Sequence, residues 1–438
     1  MKKQFMKYVS LNIAGMVGLS CYILADSYFI SKAQGANGLT ALNLALPLYN
    51  IIFAIGSMIG TGSAIRYTIA KTRNHKDTYE YIFTAVISAV VIGSFFSITG
   101  LLFSENILTL LGADKEILSA GINYTKIFMS CSPFFMLNYV AGAFVRNDGA
   151  PNTAMAATLI SSIFNIIFDY IFMFPLKMGM SGAALATGLS PVIGIVICST
   201  HIFSKKSNIK IKPCIPSVSK LVHSCKVGVS AFVAEISSGV ITMTFNFLIL
   251  KEAGNFGVAA YGIVANIALV AVAFSNGVAQ GSQPLISSSY GQKKHSDVKS
   301  LVKMSVFTSF AISLFLYIIL ALFAEGIAGI FNSEGNPAVA EYAKTGIRIY
   351  FTGILFSGIN ITGSSCFSAV ENVKAAFAVS VLRGFVLIIF FAFVLSSLFG
   401  MNGIWSAYAA AELTASLVML FFSKRSTSSA DSEKTSLM

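Results

Sequence analysis

Four acidic residues stand inside long apolar stretches of this 438-residue chain: Asp26, Asp169, Glu235 and Glu412. An ionisable group at mid-bilayer costs at least a few kcal/mol, so each one is a candidate for function. Asp169 follows Asn165 by four positions, which puts both side chains on one helix face. The Asn165 amide can donate to the carboxylate, or its carbonyl oxygen can help complete a cation shell. Burial disfavours the charged form of a carboxyl group, so such a cluster can take up a proton and release it when wetted. The plainer reading is a helix-packing hydrogen bond that never titrates; the cost of a buried charge favours ion coupling.

The other three acids divide differently. Asp26 sits towards the end of its stretch, where coupling and a loop-facing carboxylate are equally open. Glu235 lies deep in its stretch, and acidic side chains are too short to reach the interface, which favours function over packing. Glu412 adjoins Ala409, Ala410 and Ala411, small residues typical of close helix contacts, so an interhelical hydrogen bond competes with function there. Lys126 and Arg348 are the basic groups placed nearest the middle of a stretch, whereas Arg66 and Arg383 are placed nearer the ends, within snorkelling reach. Other chemistry has no residues to carry it: the four histidines fall at stretch ends or in loops without metal spacing, and no glycine loop with a following lysine cradles a phosphate.

The elements that must hold these residues are membrane helices. Hydrophobic residues make up 55% of the chain and charged residues 11%, against roughly 25% charged in soluble domains. A helix needs about 20 mostly apolar residues to span the hydrocarbon. Twelve windows qualify, near 9–31, 44–70, 80–104, 117–145, 152–174, 179–203, 222–250, 258–288, 299–324, 337–369, 375–398 and 402–423. In lipid the backbone must satisfy its own hydrogen bonds, so these windows predict helices. The first is read as a retained span, because no small-residue cleavage site ends it.

With an even number of spans and an internal N-terminus, Lys and Arg divide 21 inside to 4 outside. That bias follows the positive-inside rule and predicts both termini in the cytoplasm. The net charge of +12 is therefore topological and calls for no nucleic-acid partner. Six cysteines without paired or metal spacing are expected to be free thiols.

An offset of about 220 residues brings segments of the two halves into register. Residues 38–43 match 257–262, Gly62-Ser63 matches Gly281-Ser282, and Gly179-Met180-Ser181-Gly182 matches Gly400-Met401-Asn402-Gly403. Six spans per half make these parallel repeats about an axis along the membrane normal. The expected organisation is an N-lobe over 1–203, a linker over 204–221, a C-lobe over 222–424 and a polar, disordered tail over 425–438.

Asp26, the Arg146-Asn147-Asp148-Gly149-Ala150-Pro151 turn, the Asn165/Asp169 pair, the Gly281-Ser282-Gln283-Pro284-Leu285 stretch and Gly403-Ile404-Trp405 together resemble the multidrug and toxin extrusion (MATE) family, over roughly residues 5–424. The resemblance implies an all-α polytopic fold of twelve transmembrane helices in two six-helix lobes related by pseudo-twofold symmetry. It further implies an ion-coupling cluster of Asp26, Tyr124, Asn165, Asp169 and Thr187 in the N-lobe, as in DinF-type members. Glu235 resembles the helix 7 glutamate of NorM-type members. Those members carry an acid on helix 10 as well, where this chain has Asn360, so coupling is expected in the N-lobe rather than the C-lobe. The overall flavour resembles the MepA-like bacterial group.

The expectation that follows is a cation-coupled exporter of hydrophobic, cationic compounds in a bacterial plasma membrane. It works as a monomer without a cofactor, with proton favoured over sodium as coupling ion; Na+ would sit at Asp26, Asn165 and Asp169. Glu235, Asn360 and Glu412 are the candidates for substrate binding or a C-lobe acid site. A lipid-linked glycan flippase would need basic residues lining a central cavity, and few lie mid-span. An intramembrane enzyme would need a nucleophile–base pair or metal set, and none is apparent. A receptor or structural role fits poorly with duplicated halves that carry buried acids.

Overall fold

The computed structural model describes the chain except residues 76, 332–335 and 436–438, and the side chains of 36, 37, 39, 120 and 424–435. Lys76 and Glu334, used in the charge reading, thus lie outside the described residues. Everything regular among the described residues is helical. The helices α1 (Lys2–Gly35), α2 (Thr40–Thr72), α3 (Thr78–Leu110), α5 (Pro151–Met173), α6 (Met180–Ile202) and α9 (His295–Leu322) are continuous. Between α3 and α5, α4 (115–147) is a pair, Lys115–Ser130 and Ser132–Asn147, bent by 44°. Gly254 breaks Val218–Gly291 into α7 (218–253) and α8 (255–291). Pro337–Tyr350, a 3-10 turn and Ile354–Ala369 form α10 (337–369). Residues 373–435 divide at Gly400 into α11 (373–399) and α12 (401–435).

By length and composition alone, eight helices can cross a membrane, or nine with the bent pair. Splitting the two long ones at Gly254 and Gly400 and counting α10 brings the stretches into step with the twelve windows of the sequence. Prolines at the first turns of Ser132–Asn147, α5 and α10 fit there because those N–H groups have no helical partner. Asp114, Ser217 and Asn336 cap the starts of α4, α7 and α10 with side-chain oxygens. At the other end, α12 stays helical to Thr435, through most of the segment read as a disordered tail; no Gly or Pro follows Gly403 to interrupt it.

The duplication is written in the backbone. Gly35 (φ 62°, ψ −151°) and Gly254 (φ 62°, ψ −156°) share one left-handed conformation. Gly179 (φ 56°, ψ −135°) and Gly400 (φ 55°, ψ −134°) share another. These dihedrals suit only glycine, so each half breaks its helices at equivalent points. Each half also has its own apolar core. In the first, Tyr49, Phe128, Phe135 and Met136 lie at the centre; in the second, Phe245, Tyr261, Tyr350 and Trp405 do.

The two lobes are fastened at the side that holds the start of α1, the α2–α3 and α8–α9 turns and the linker, called here the basic face. Phe5 and Val9 of α1 pack into the second lobe with Val278 and Leu301. Ile65 and Ile69 of α2 pack with Val227 of α7. Arg66 pairs with Glu371, Lys220 with Glu80 at 2.6 Å, and Asn147 and Gln283 exchange amide hydrogen bonds of 3.2 and 3.1 Å. Arg66 therefore does not snorkel; it bridges the lobes. At the opposite ends, a Cβ added at Gly35 or Gly254 would meet nothing within 4 Å. The molecule is closed at the basic face.

Candidate functional site

In the N-lobe, Asp26 comes from α1, Tyr124 from α4, Asn165 and Asp169 from α5, and Thr187 from α6; all five are buried and converge. The Asp26 and Asp169 carboxyl groups lie in hydrogen-bonding contact. Such a contact can hold one proton between the two groups, since two adjacent carboxylates are disfavoured from both being ionised in a dry interior. No basic side chain forms an ion pair with either one among the described residues, and Oδ1 of each lacks a hydrogen-bond partner. The Asn165 amide has two orientations. In one, Nδ2 donates to Thr187 Oγ1 at 3.3 Å. The other satisfies both ends of the amide: Nδ2 donates to Asp169 at 3.1 Å and the oxygen accepts from the Thr187 N–H at 3.3 Å. The second is favoured, because the first faces donor with donor and acceptor with acceptor.

Two tyrosines belong to this cluster that sequence reading did not single out. The Tyr49 hydroxyl is hydrogen-bonded to that of Tyr124 at 2.5 Å, and its ring stacks on Phe128 at 3.6 Å. Tyr22 stands one helical turn from Asp26 on α1 and so shares its face. The i, i+4 spacing of Tyr22 and Asp26 was a usable signal. For Tyr49 there was none, since its partner lies on another helix. Phe245, opposite Asp26 in the second half, and Ala392, within a residue or two of the position opposite Asp169, are fully buried in apolar packing.

The second lobe holds a polar cluster of another kind. Glu412 on α12 is 1% exposed. Arg383 on α11 donates to it from Nη2 at 2.6 Å and from Nε at 3.1 and 3.2 Å. Asn360 on α10 donates to the carboxylate at 2.7 Å, and Ser416 fixes the amide by donating to its oxygen at 3.0 Å. One expectation is corrected here: Arg383 is not an end-of-helix residue within snorkelling reach but the buried partner of an acid. Glu412 forms the interhelical hydrogen bond weighed for it, with Asn360, and an ion pair with Arg383 besides. The sequence concealed this because α11 carries a π-helical turn, Leu382–Val386, which shifts the facing of Arg383 relative to regular α periodicity.

Glu235 on α7 stands apart from both clusters. It is half-buried. One turn on, the Cβ direction of Gly239 points at Asn50 of α2. Glu235 therefore faces the first lobe, and no hydrogen bond or ion pair holds it among the described residues.

At the basic face, Asp148 fastens the linker. Its buried carboxylate accepts from Lys71 at 2.7 Å, Tyr67 at 3.1 Å, His201 at 3.0 Å and the Asn208 N–H at 2.9 Å. Burial pushes the carboxyl pKa up, but Lys71, the Asn208 N–H and His201 together outweigh it and hold the group below the usual aspartate value. Stability from this contact is thus present at neutral pH and is lost as pH falls below about 4. Asp148→Asn is expected to cost about 1–3 kcal/mol. It should also remove this acid-dependent step from thermal unfolding profiles and speed proteolysis within 204–217.

The family model MatE matches residues 13–171 and 231–394. The multidrug export protein MepA of Staphylococcus aureus (strain MRSA252) is 30% identical over 410 residues, covering 91% of this chain and 88% of that protein. MepA of Staphylococcus saprophyticus is 29% identical over 406 residues, with the same coverage. Among solved structures, an outward-facing multidrug resistance MATE transporter of the MOP superfamily superposes with a TM-score of 0.92 at 21% identity, over 98% of this chain and 97% of that one. A MOP superfamily transporter from Pyrococcus furiosus superposes with a TM-score of 0.90 at 22% identity, over 98% and 96%. The molecule is a polytopic membrane transporter. It belongs to the MATE family.

Proposed function

We propose that this chain is a secondary active multidrug exporter that exchanges hydrophobic, cationic compounds for protons by alternating access. The observation that carries the reading is the buried Asp26–Asp169 pair, which has no counter-charge. A pair of carboxyl groups in contact is chemically a proton site; sodium would require more oxygen ligands to gather around it. Multidrug export by the MepA relatives supports the substrate class. Glu235, facing the cleft without a partner, is the residue that would pair with a cationic substrate, while Phe and Met side chains supply adaptable apolar contacts.

In this reading the basic face is cytoplasmic, both termini lie inside a bacterial plasma membrane, and the chain acts as a monomer. The described state is then outward-open. Protonation of the Asp26–Asp169 pair changes the N-lobe packing and with it the affinity for substrate; coupling demands that ion and substrate differ in affinity between the two facing states. A glycan flippase reading is weakened because Arg383, the deeply placed base of the second lobe, is already consumed by Glu412.

The test is efflux of a fluorescent cation from everted vesicles with proton and sodium gradients imposed separately. Efflux driven by the proton gradient alone is expected. Efflux that follows only the sodium gradient would refute the proton assignment, and efflux that follows neither would refute ion coupling.

A further inference from the structure

The two polar clusters occupy equivalent helices of the repeat: α4, α5 and α6 in the first lobe, α10, α11 and α12 in the second. In the first, an acid and an asparagine on α5 face an acid from α1, and no base is present. In the second, Glu412 and Asn360 present the same carboxylate and amide chemistry, and the centre is taken by the Arg383 guanidinium. That guanidinium reaches both carboxylate oxygens, the place a cation would take. Its helix is locally rewound there by the π-helical turn Leu382–Val386, a feature frequent at functional sites. Beside it, Gly384 lets Ser237 of α7 pack closely against α11, with Oγ only 2.6 Å from where a Cβ would stand.

We propose that the second lobe contains an oxygen-lined site for a monovalent cation, made by Glu412, Asn360 and Ser416, which the chain keeps filled with the side chain of Arg383. The tethered guanidinium prevents Glu412 from taking up a coupling ion and so confines ion exchange to the other lobe. Guanidinium supplies charge and a fork of donors without dissociating. Removing it leaves a buried carboxylate that must acquire a counter-charge, because an isolated buried charge is strongly disfavoured. The amide of Asn360 donates to the Glu412 carboxylate and, at 2.8 Å, to the Glu412 main-chain carbonyl; turned, it exchanges both donations for a carbonyl oxygen that joins the carboxylate and the Ser416 hydroxyl, a donor set that only a hard cation between them would hold together.

The test uses the purified full-length protein and reads thermal unfolding, so its failure is separable from any failure of efflux coupling at Asp26 and Asp169. Arg383→Met and Arg383→Gln are compared with wild type and with the double variant Arg383→Met/Glu412→Gln, at about pH 8.5, in sodium chloride and in choline chloride. The single variants are expected to unfold several degrees lower than wild type in choline. A saturable rise in Tm with sodium is expected in them and in neither wild type nor the double variant. A rise on acidification alone, with no response to sodium or another alkali cation, would mark Arg383–Glu412 as a packing pair and overturn the proposal. So would failure of both single variants to fold even at high sodium, since a refilled site must restore the pairing.

Discussion

Asp169→Asn is expected to abolish proton-driven efflux while leaving the protein folded. Asparagine keeps the shape of the aspartate side chain and can hydrogen-bond to Asp26 and Asn165, but it cannot exchange a proton. Asp169 is 0% exposed and Asp26 7% exposed, so neither group is bathed by water that would substitute for the lost chemistry. The loss should exceed tenfold in the initial rate of fluorescent-cation efflux from vesicles, the order expected when a coupling free energy of more than about 1.4 kcal/mol disappears. Thermal stability should hold or rise, because a buried ionisable group is replaced by a neutral one. Asp26→Asn should behave alike, and the double variant should be no worse than either single one, because the two groups hold one proton between them. Undiminished efflux by Asp169→Asn would end the coupling role.

Gly62→Val is expected to drive the molecule out of the closed-seam state. Gly62 of α2 and Gly228 of α7 cross in backbone contact: a Cβ at Gly62 would lie 2.8 Å from the Ser224 carbonyl carbon and 2.9 Å from the Gly228 nitrogen. A valine there cannot be relieved by turning a side chain, since the obstacles are backbone atoms. Overpacking of this kind costs about 1–3 kcal/mol. Each 1.4 kcal/mol, roughly, shifts a two-state population tenfold. The penalty falls on one conformation only, because each lobe keeps its own core and the clash exists only where the seam is shut. Efflux should fall at least tenfold, and spin-label distances between the basic-face ends of α2 and α7 should lengthen in the folded protein. An unchanged distance distribution together with normal efflux would show that the seam does not have to close tightly.

The hydrophobic windows predicted the helices well because lipid leaves the backbone one solution, and that constraint acts on every residue of a span alike. The repeat was equally visible: the shared combination of φ near 55° and ψ near −134° suits only glycine, and Gly179 and Gly400 supply it at matching places in the two halves. The Asn165/Asp169 pair could be read as well, since four residues along a helix is a local geometry. Arg383 could not. Its placement depends on a π-helical turn and on an acid twenty-nine positions away on another helix.

The polar inventory that could serve transport was thus determined by the sequence itself: which acids lie in spans, which half carries them, and the symmetric scaffold that holds them. Only the tertiary structure decided which of them remain without counter-charge. Asp26 and Asp169 meet each other, Glu412 meets a guanidinium, and Glu235 meets the cleft. The helix lattice also decided which side of the molecule is shut. The reason is one of range. Hydropathy and backbone conformation are properties of neighbouring residues, whereas the state of a buried charge is set by whatever side chain another helix brings within about 4 Å of it.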